Sequence, residues 1–299
     1  GGSGFIGRHV TKLLKENGMK VLWASRAAGP NKITWSDLQR RGLPEGVTAV
    51  VSMSGENILN PMKRWNDSFK EAVRASRVDC TRYLADAICQ AKVPPKVFIS
   101  FSGVGFYKPD PSIEYDESSP GGNFDFLSKL CTDWEAAAKL PSDLGVRQVI
   151  LRCGVVLGRD GGMIQQLYWP FFLGLGGPIG SGKQWLPWIH VADVAGLVTH
   201  AILNDHVSGI LNAVAPEPVT NAQFAKTFAS AMWRPAVIPM PGFIMNTVYG
   251  PERGIVVLEG QKVIPKRTLE TGYPFAFPTL ASACKDVSQM LTINSVSGS

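Results

Sequence analysis

Apolar residues recur at three- and four-residue spacing through Ile6, Val10, Leu13 and Leu14, which predicts an amphipathic helix directly after a run of glycines. Asn17-Gly18 closes that helix in the manner of a C-cap. The short apolar stretch 21–24 then predicts a buried strand. The alternation continues with a strand at 47–53, a long amphipathic helix over 67–91 and an apolar strand at 97–102 behind Pro94-Pro95. A helix over 127–139 and a strand at 148–151 follow. Strands separated by helix-length segments predict an α/β fold, a doubly wound parallel sheet of the Rossmann type. After about residue 158 the pattern loosens as Gly, Pro and aromatic residues accumulate, with short helices expected at 191–204, 221–230 and 279–291. The expected division is a Rossmann domain over 1–158, a smaller mixed substrate lobe over 159–292 and a disordered tail over 293–299.

The 299 residues are 45% hydrophobic and 18% charged, which supplies a sizeable core and argues against disorder. The formal net charge is +6, but basic and acidic residues interleave, so no nucleic-acid stripe is expected. A positive balance does suit an anionic small ligand. The five cysteines, Cys80, Cys89, Cys131, Cys153 and Cys284, are odd in number and never form a CxxC pair. That argues against a disulfide framework or a zinc site, so no metal is expected, and a reducing compartment is (cytoplasm, nucleus or an organelle interior). The longest uncharged stretch, 161–182, holds seven glycines and two prolines, and is expected to form a loop with a short helix rather than a membrane span.

Gly1, Gly4 and Gly7 make a G-x-x-G-x-x-G pattern that opens the first helix. Such a turn lets the backbone at Gly1, Ser3, Gly4, Phe5 and Ile6 approach a pyrophosphate, with the free N–H groups and positive end of the helix behind it. The alternative is a glycine-rich surface turn. The sequence opens inside the motif, so the turn is expected without the strand that feeds it, and to hold cofactor less well for that reason. The end of the next strand reads the adenosine ribose in dinucleotide-binding folds. Here it carries Ser25-Arg26, with no acid until Asp37, and Arg26 stands 22 positions beyond Gly4. An arginine there suits a 2′-phosphate, so NADP is expected over NAD.

GGSGFIG, Ser25-Arg26, Gly55-Glu56-Asn57 and Trp188-Ile189-His190-Val191-Ala192-Asp193 together resemble the extended short-chain dehydrogenase/reductase superfamily. More narrowly they resemble its atypical epimerase branch, family 39U, whose bacterial relatives were once called cell-division inhibitors. Glu259-Gly260-Gln261-Lys262-Val263-Ile264-Pro265-Lys266-Arg267, with Gly272-Tyr273 and Phe277-Pro278, is similar to that branch's C-terminal region. The resemblance covers nearly the whole chain. It implies an NADP-binding oxidoreductase or epimerase acting on a small molecule, in a superfamily that commonly forms homodimers. It also implies that Met53 and Ser54 lie beside the adenine and ribose, that Arg77 faces the cofactor, and that Val155 sits near the nicotinamide.

Short-chain dehydrogenases use a Tyr as acid/base, a Lys four residues on and an upstream Ser. None of the six tyrosines has a Lys at the fourth following position. With Glu135 setting the register, the Tyr position falls at Leu127 and the Lys position at Cys131. The Ser remains as Ser102, with Ser100 as the alternative. A leucine donates no proton, so the candidates become Tyr107, His190 and Lys129. Tyr107 has an alternative as a wall residue, and His190 as a structural or substrate-lobe residue. Cys131 serves as a nucleophile only if positive charge lowers its pKa, and otherwise as a packed small residue. Gly180-Ser181-Gly182-Lys183-Gln184 lacks the spacing of a phosphate loop and is expected to be a loop of the second lobe. Two functions follow: an oxidoreductase or epimerase with a rearranged site, or a non-catalytic NADP(H)-binding sensor.

Overall fold

A computed structural model of the chain describes residues 1–289. The turn at the start leads into α1 (Phe5–Glu16), followed by β1 (Trp23–Ser25), β2 (Lys32–Thr34), α2 (Trp35–Arg41) and β3 (Ala49–Ser52). Then come α3 (Asp67–Ala75), α4 (Val78–Cys89), β4 (Val97–Gly103), β5 (Asp110–Tyr115), α5 (Phe126–Ala137) and β6 (Arg147–Cys153). β7 (Val155–Gly158), α6 (Gly162–Phe172), β8 (Trp188–His190), α7 (Val191–Leu203), β9 (Gly209–Ala213) and α8 (Asn221–Ala231) follow. The chain continues with α9 (Gly242–Tyr249), α10 (Pro251–Leu258), β10 (Gln261–Val263), α11 (Lys266–Glu270) and α12 (Leu280–Val287).

The centre is a four-stranded parallel sheet in the order β3-β4-β6-β9. β4 is buried almost throughout, as a strand covered on both faces must be. Its side chains alternate between faces. Val97, Ile99 and Phe101 join one core with α1 and α7, and Phe98 joins another with α2 and α4. β1 and β2 pair in parallel as a separate ribbon. Among the described residues no ladder joins that ribbon to the four-stranded sheet. A third core, built on α6, α8 and α12, forms the second lobe.

Two expectations change. The helix expected over 67–91 is two helices. Ser76 donates its hydroxyl to the Val73 carbonyl at 2.8 Å and accepts the Glu56 amide at 2.9 Å, and this side-chain competition for backbone groups separates α3 from α4. The C-terminal stretch is not confined to a separate lobe, since β10 pairs in parallel with β5 of the first half. The tail expected at 293–299 and the end of the helix expected at 279–291 lie outside the described residues.

α12 is docked by Asp286, which pairs with Arg159 at 2.5 Å and with His190 Nε2 at 3.0 Å. His190 Nδ1 accepts the Ala192 amide, so Nε2 carries the proton given to Asp286. Burial opposes ionisation of Asp286, but Arg159 and His190 outweigh it and hold the carboxyl below its usual range. Burial also pulls His190 down, against the contact with Asp286. Both values are depressed in the folded chain, so both contributions are complete above the unfolded values and are lost on acidification. The loss should begin below about pH 6.5, where an unfolded histidine takes up protons, and deepen below about pH 4. Thermal unfolding across pH should show this fall, and Asp286→Asn should flatten its lower part.

Candidate functional site

The glycine turn is closed by a hydrogen bond from the Gly4 amide to the Gly1 carbonyl at 3.0 Å. A Cβ at Gly7 would strike the Gly1 carbonyl and Gly2, and one at Gly1 would strike the Met53 carbonyl, so backbone passes backbone here with no room for a side chain. α1 has no side-chain cap and no acid in its first turn. α2, α3, α5, α7, α8 and α12 are capped by Thr34, Asn66, Asp125, His190, Thr220 and Thr279, whereas α1 shares its uncapped start with α4, α6, α9, α10 and α11 but alone among them opens on the glycine turn. The first N–H groups of α1 are therefore left for an outside acceptor, which is what an anion site at a helix start requires. The Phe5 ring packs against Gly158, Gly161 and Gly162, which leaves its backbone, and that of Ile6, to face the turn.

Ser25 ends β1 and accepts the Ala27 amide at 3.3 Å. Arg26 is exposed and makes no ion pair among the described residues. Ser54 Oγ accepts from the Gly1 nitrogen at 3.1 Å, which brings Met53 and Ser54 against the turn. Arg77 stands at the α3–α4 junction, lies over Gly55 and stacks on Trp134 at 5.3 Å. It has no carboxylate partner at ion-pair distance among the described residues, and burial lowers its pKa to about 10, so it stays cationic. Val155 begins β7, its amide held by the Pro187 carbonyl at 2.8 Å.

Ser102 lies near the end of β4, 3% exposed. Its Oγ is buried without a hydrogen-bond partner among the described residues, the neighbour it approaches being the weakly accepting Cys131 sulfur. Ser100, the alternative, is 2% exposed on the same strand. Cys131 sits opposite Gly103. Burial pushes its thiol up to about 11, with the Gly103 and Ser102 contacts and Arg77 pulling less strongly the other way. It is a packed thiol at neutral pH, not the thiolate that a nucleophile needs. Leu127 lies against Gly105, one turn along the helix from Cys131.

Tyr107 is placed elsewhere. It is fully buried and stacked on Tyr115 at 5.2 Å. Its hydroxyl donates to Asn212 Oδ1 at 2.8 Å and accepts from Arg152 at 3.0 Å. Burial raises its pKa against the pull of Arg152. With its proton committed to Asn212, it has none to lend to a substrate beside Ser102. Lys129 is exposed and paired with Asp133, and His190 is locked in the α12 contact.

Two features were invisible in sequence. The first is the anchor of Tyr107: Arg152, 2% exposed, meets Glu135 through two bonds of 2.8 and 2.9 Å. Its guanidinium also lies 3.4 Å from the centre of the Phe106 ring. The second is a small pocket at Leu127, walled by Ile58, Trp65, Phe126, Ile255 and Val256 and reached by Asp125, Glu252 and Arg253. Trp188 is core, at 1% exposure, and Trp185 donates to the Pro111 carbonyl. Among the described residues no cluster of His, Cys, Asp and Glu has a metal-binding arrangement. No described helix is long and apolar enough to cross a membrane.

Residues 1–213 match the profile of the NAD dependent epimerase/dehydratase family, and residues 240–287 match a domain family of unknown function, DUF1731. The chain is similar to the Homo sapiens epimerase family protein SDR39U1, 53% identical over 287 residues that span 96% of this chain and 97% of that one. The crystal structure of human SDR39U1 (isoform 2) with NADPH aligns at a TM-score of 0.94 and 53% identity, covering 96% of this chain and 97% of that one. A nucleoside-diphosphate sugar epimerase from Corynebacterium glutamicum aligns at a TM-score of 0.76 and 31% identity, over 96% of this chain and 57% of that one.

Proposed function

The chain belongs to the NAD dependent epimerase/dehydratase family, and from that premise we propose that it is an NADP(H)-dependent oxidoreductase of the atypical epimerase type, working without a tyrosine acid. The cofactor half of this reading is supported by the uncapped start of α1, the glycine cradle and the exposed Arg26, which makes no ion pair among the described residues. The N–H groups at Phe5 and Ile6 take the pyrophosphate over the turn that the Gly4 amide closes, Ser25 and Arg26 the 2′-phosphate, and Met53 and Ser54 the adenosine side. Arg77 and Val155 border the nicotinamide half. When bound, the reduced cofactor supplies a hydride.

The observation that carries catalysis is Ser102. A buried hydroxyl without a partner forgoes about 1–3 kcal/mol, and a substrate carbonyl would supply the partner that Ser102 lacks. A site that reacts a carbonyl gains a donor aimed where the oxygen will sit. The other reading, a non-catalytic NADP(H) sensor, is favoured by Leu127 and Cys131 standing where the acid and its lysine would be.

Ser102→Ala separates the two. On the catalytic reading it lowers turnover about 100-fold, leaves NADPH affinity within about twofold, and leaves the melting temperature unchanged or raised because an unpaired polar group is removed. Unchanged turnover in this variant would remove Ser102 from the chemistry. A wild-type protein that binds NADPH yet turns over no carbonyl or sugar nucleotide would be a sensor.

A further inference from the structure

The uncharged stretch 161–182 takes no part in the cofactor site, and its second half lies at the surface. Trp169 of α6 and Leu173, one turn on, are both exposed. The chain beyond them runs beside the segment that follows α8. Arg234 Nε donates to the Phe172 carbonyl at 2.7 Å, the Ile238 amide to Gly176 at 3.4 Å and the Met240 amide to Pro178 at 2.8 Å. A Cβ at Gly177 would strike the Ile238 carbonyl, so the two segments meet backbone to backbone. Leu175 on one, and Val237 and Ile238 on the other, are left exposed on neighbouring segments, with Phe243 exposed at the start of α9 beyond them. The second lobe therefore carries an apolar face that is already built and uncovered.

Trp233 opens the second of these segments in a costly conformation. The Arg234 amide bonds the Ala229 carbonyl and the Trp233 amide bonds that of Ser230, both at 3.0 Å. This is a Schellman ending to α8, and it puts Trp233 at the position where glycine is usual, with φ at 58°. A bulky side chain there is strained. This one is also 91% exposed, so no packing offsets the strain. The indole N–H groups of Trp169 and Trp233 find no acceptor among the described residues, whereas Trp23, Trp65, Trp134, Trp185 and Trp188 all donate to protein groups. An exposed indole with a free N–H suits a boundary that is apolar on one side and wet on the other, as at a membrane surface.

Charge narrows the choice of occupant. The stretches 161–183 and 218–251 contain three charged residues, Lys183, Lys226 and Arg234, all basic and all exposed. The flanking acids are already engaged, Glu217 by the Leu280 amide and Glu252 by Lys70. A second copy docking face to face would set these cations against their own counterparts, with no carboxylate to meet them. An anionic bilayer offers negative headgroups over an apolar layer, which matches both features. We propose that this face docks the protein on an anionic lipid surface, with Trp169 and Trp233 at headgroup level and Lys183, Lys226 and Arg234 toward the lipid phosphates. No described helix is long and apolar enough to cross a membrane, so the contact is peripheral. None of these residues belongs to the proposed cofactor site or to Ser102, so the assignment stands apart from the oxidoreductase reading.

Flotation of the full chain with two kinds of vesicle tests this: phosphatidylcholine alone, and phosphatidylcholine with about one-quarter phosphatidylserine. Binding to the phosphatidylserine vesicles should be tighter by about fivefold or more, and high salt should erase the difference. Trp233→Gly should weaken vesicle binding about tenfold or more, the scale of one large apolar side chain. Its melting temperature should stay level or rise by about 2–4 °C as the strained position receives a glycine. A Trp233 that served only to hold the fold would instead lower it. Lys226→Glu should cost about fivefold on phosphatidylserine vesicles and leave neutral ones unchanged. No binding to the phosphatidylserine vesicles, or binding unaltered in both variants, overturns the proposal. A dimer in sedimentation that Trp233→Gly dissociates, with no vesicle binding, overturns it in favour of a contact between copies.

Discussion

Replacing Arg152 with alanine is expected to destabilise the protein by about 3–5 kcal/mol, the cost of leaving a buried charge without its partner. Glu135 is only 13% exposed at its side chain and would keep its charge in a cavity. Tyr107 would lose a donor, and the Phe106 ring its stacked guanidinium. At about 2–4 °C per kcal/mol the melting temperature should fall by roughly 6–20 °C. Arg152→Lys should recover only part of this, because a lysine cannot form both bonds to Glu135. The pair Arg152→Met with Glu135→Leu should recover much more, since two matched apolar residues leave no stranded charge. A single alanine variant melting within a degree or two of wild type would show that water replaces the pair.

The second large effect is on cofactor choice. Arg26→Asp should weaken NADPH by about 100-fold, combining the loss of a charge-assisted bond of about 1.5–3 kcal/mol with new repulsion of the phosphate. NADH, which carries a ribose hydroxyl at that place, should change by no more than about twofold and could gain from the new acceptor. Titration of wild type and variant with both cofactors measures this. Equal weakening of the two would mean that Arg26 does not touch the 2′-phosphate. Folding should be untouched, because Arg26 is exposed and makes no ion pair among the described residues.

How much could be read in advance depended on whether the cause was local. The first glycine turn was legible because its demands fall on seven consecutive residues, and β4 because full burial shows as an unbroken apolar run. Ser102 was named through the resemblance, which implies a serine upstream and left Ser100 open, and its lack of a hydrogen-bond partner among the described residues could not be read from the sequence. Tyr107 was left open between acid and wall, and nothing near it in sequence decides the matter. Its partners, Arg152 and Asn212, come from two other strands. The split between α3 and α4 was hidden because the amphipathic pattern runs through Ser76, whose hydroxyl is drawn out of that pattern by the Val73 carbonyl and the distant Glu56 amide. β5 and β10 were missed for a related reason. Each is short, and the partner that makes it a strand lies in the other half of the chain. The Leu127 pocket takes walls from segments near residues 58–65, 126–127 and 255–256, so no single stretch advertises it.

Glu117 stands just past β5, 9% exposed. Its carboxylate accepts from the amides of Asn212, Arg267 and Thr268 and from the Thr268 hydroxyl, at 3.0–3.2 Å. The residue lies in the stretch matched by one family profile, while Arg267 and Thr268 lie in the stretch matched by the other. The two stretches are therefore joined by a buried carboxylate, held by three main-chain amides and one hydroxyl. A chimera joined between residues 213 and 240 would keep the carboxylate and the Asn212 amide but take the other two amides and the Thr268 hydroxyl from a different lineage, and a backbone displaced there would strand a charge inside the protein. Heredity is expected to have carried both stretches together, and a transplant that succeeds should be one that moves β5 and Glu117 along with the C-terminal segment.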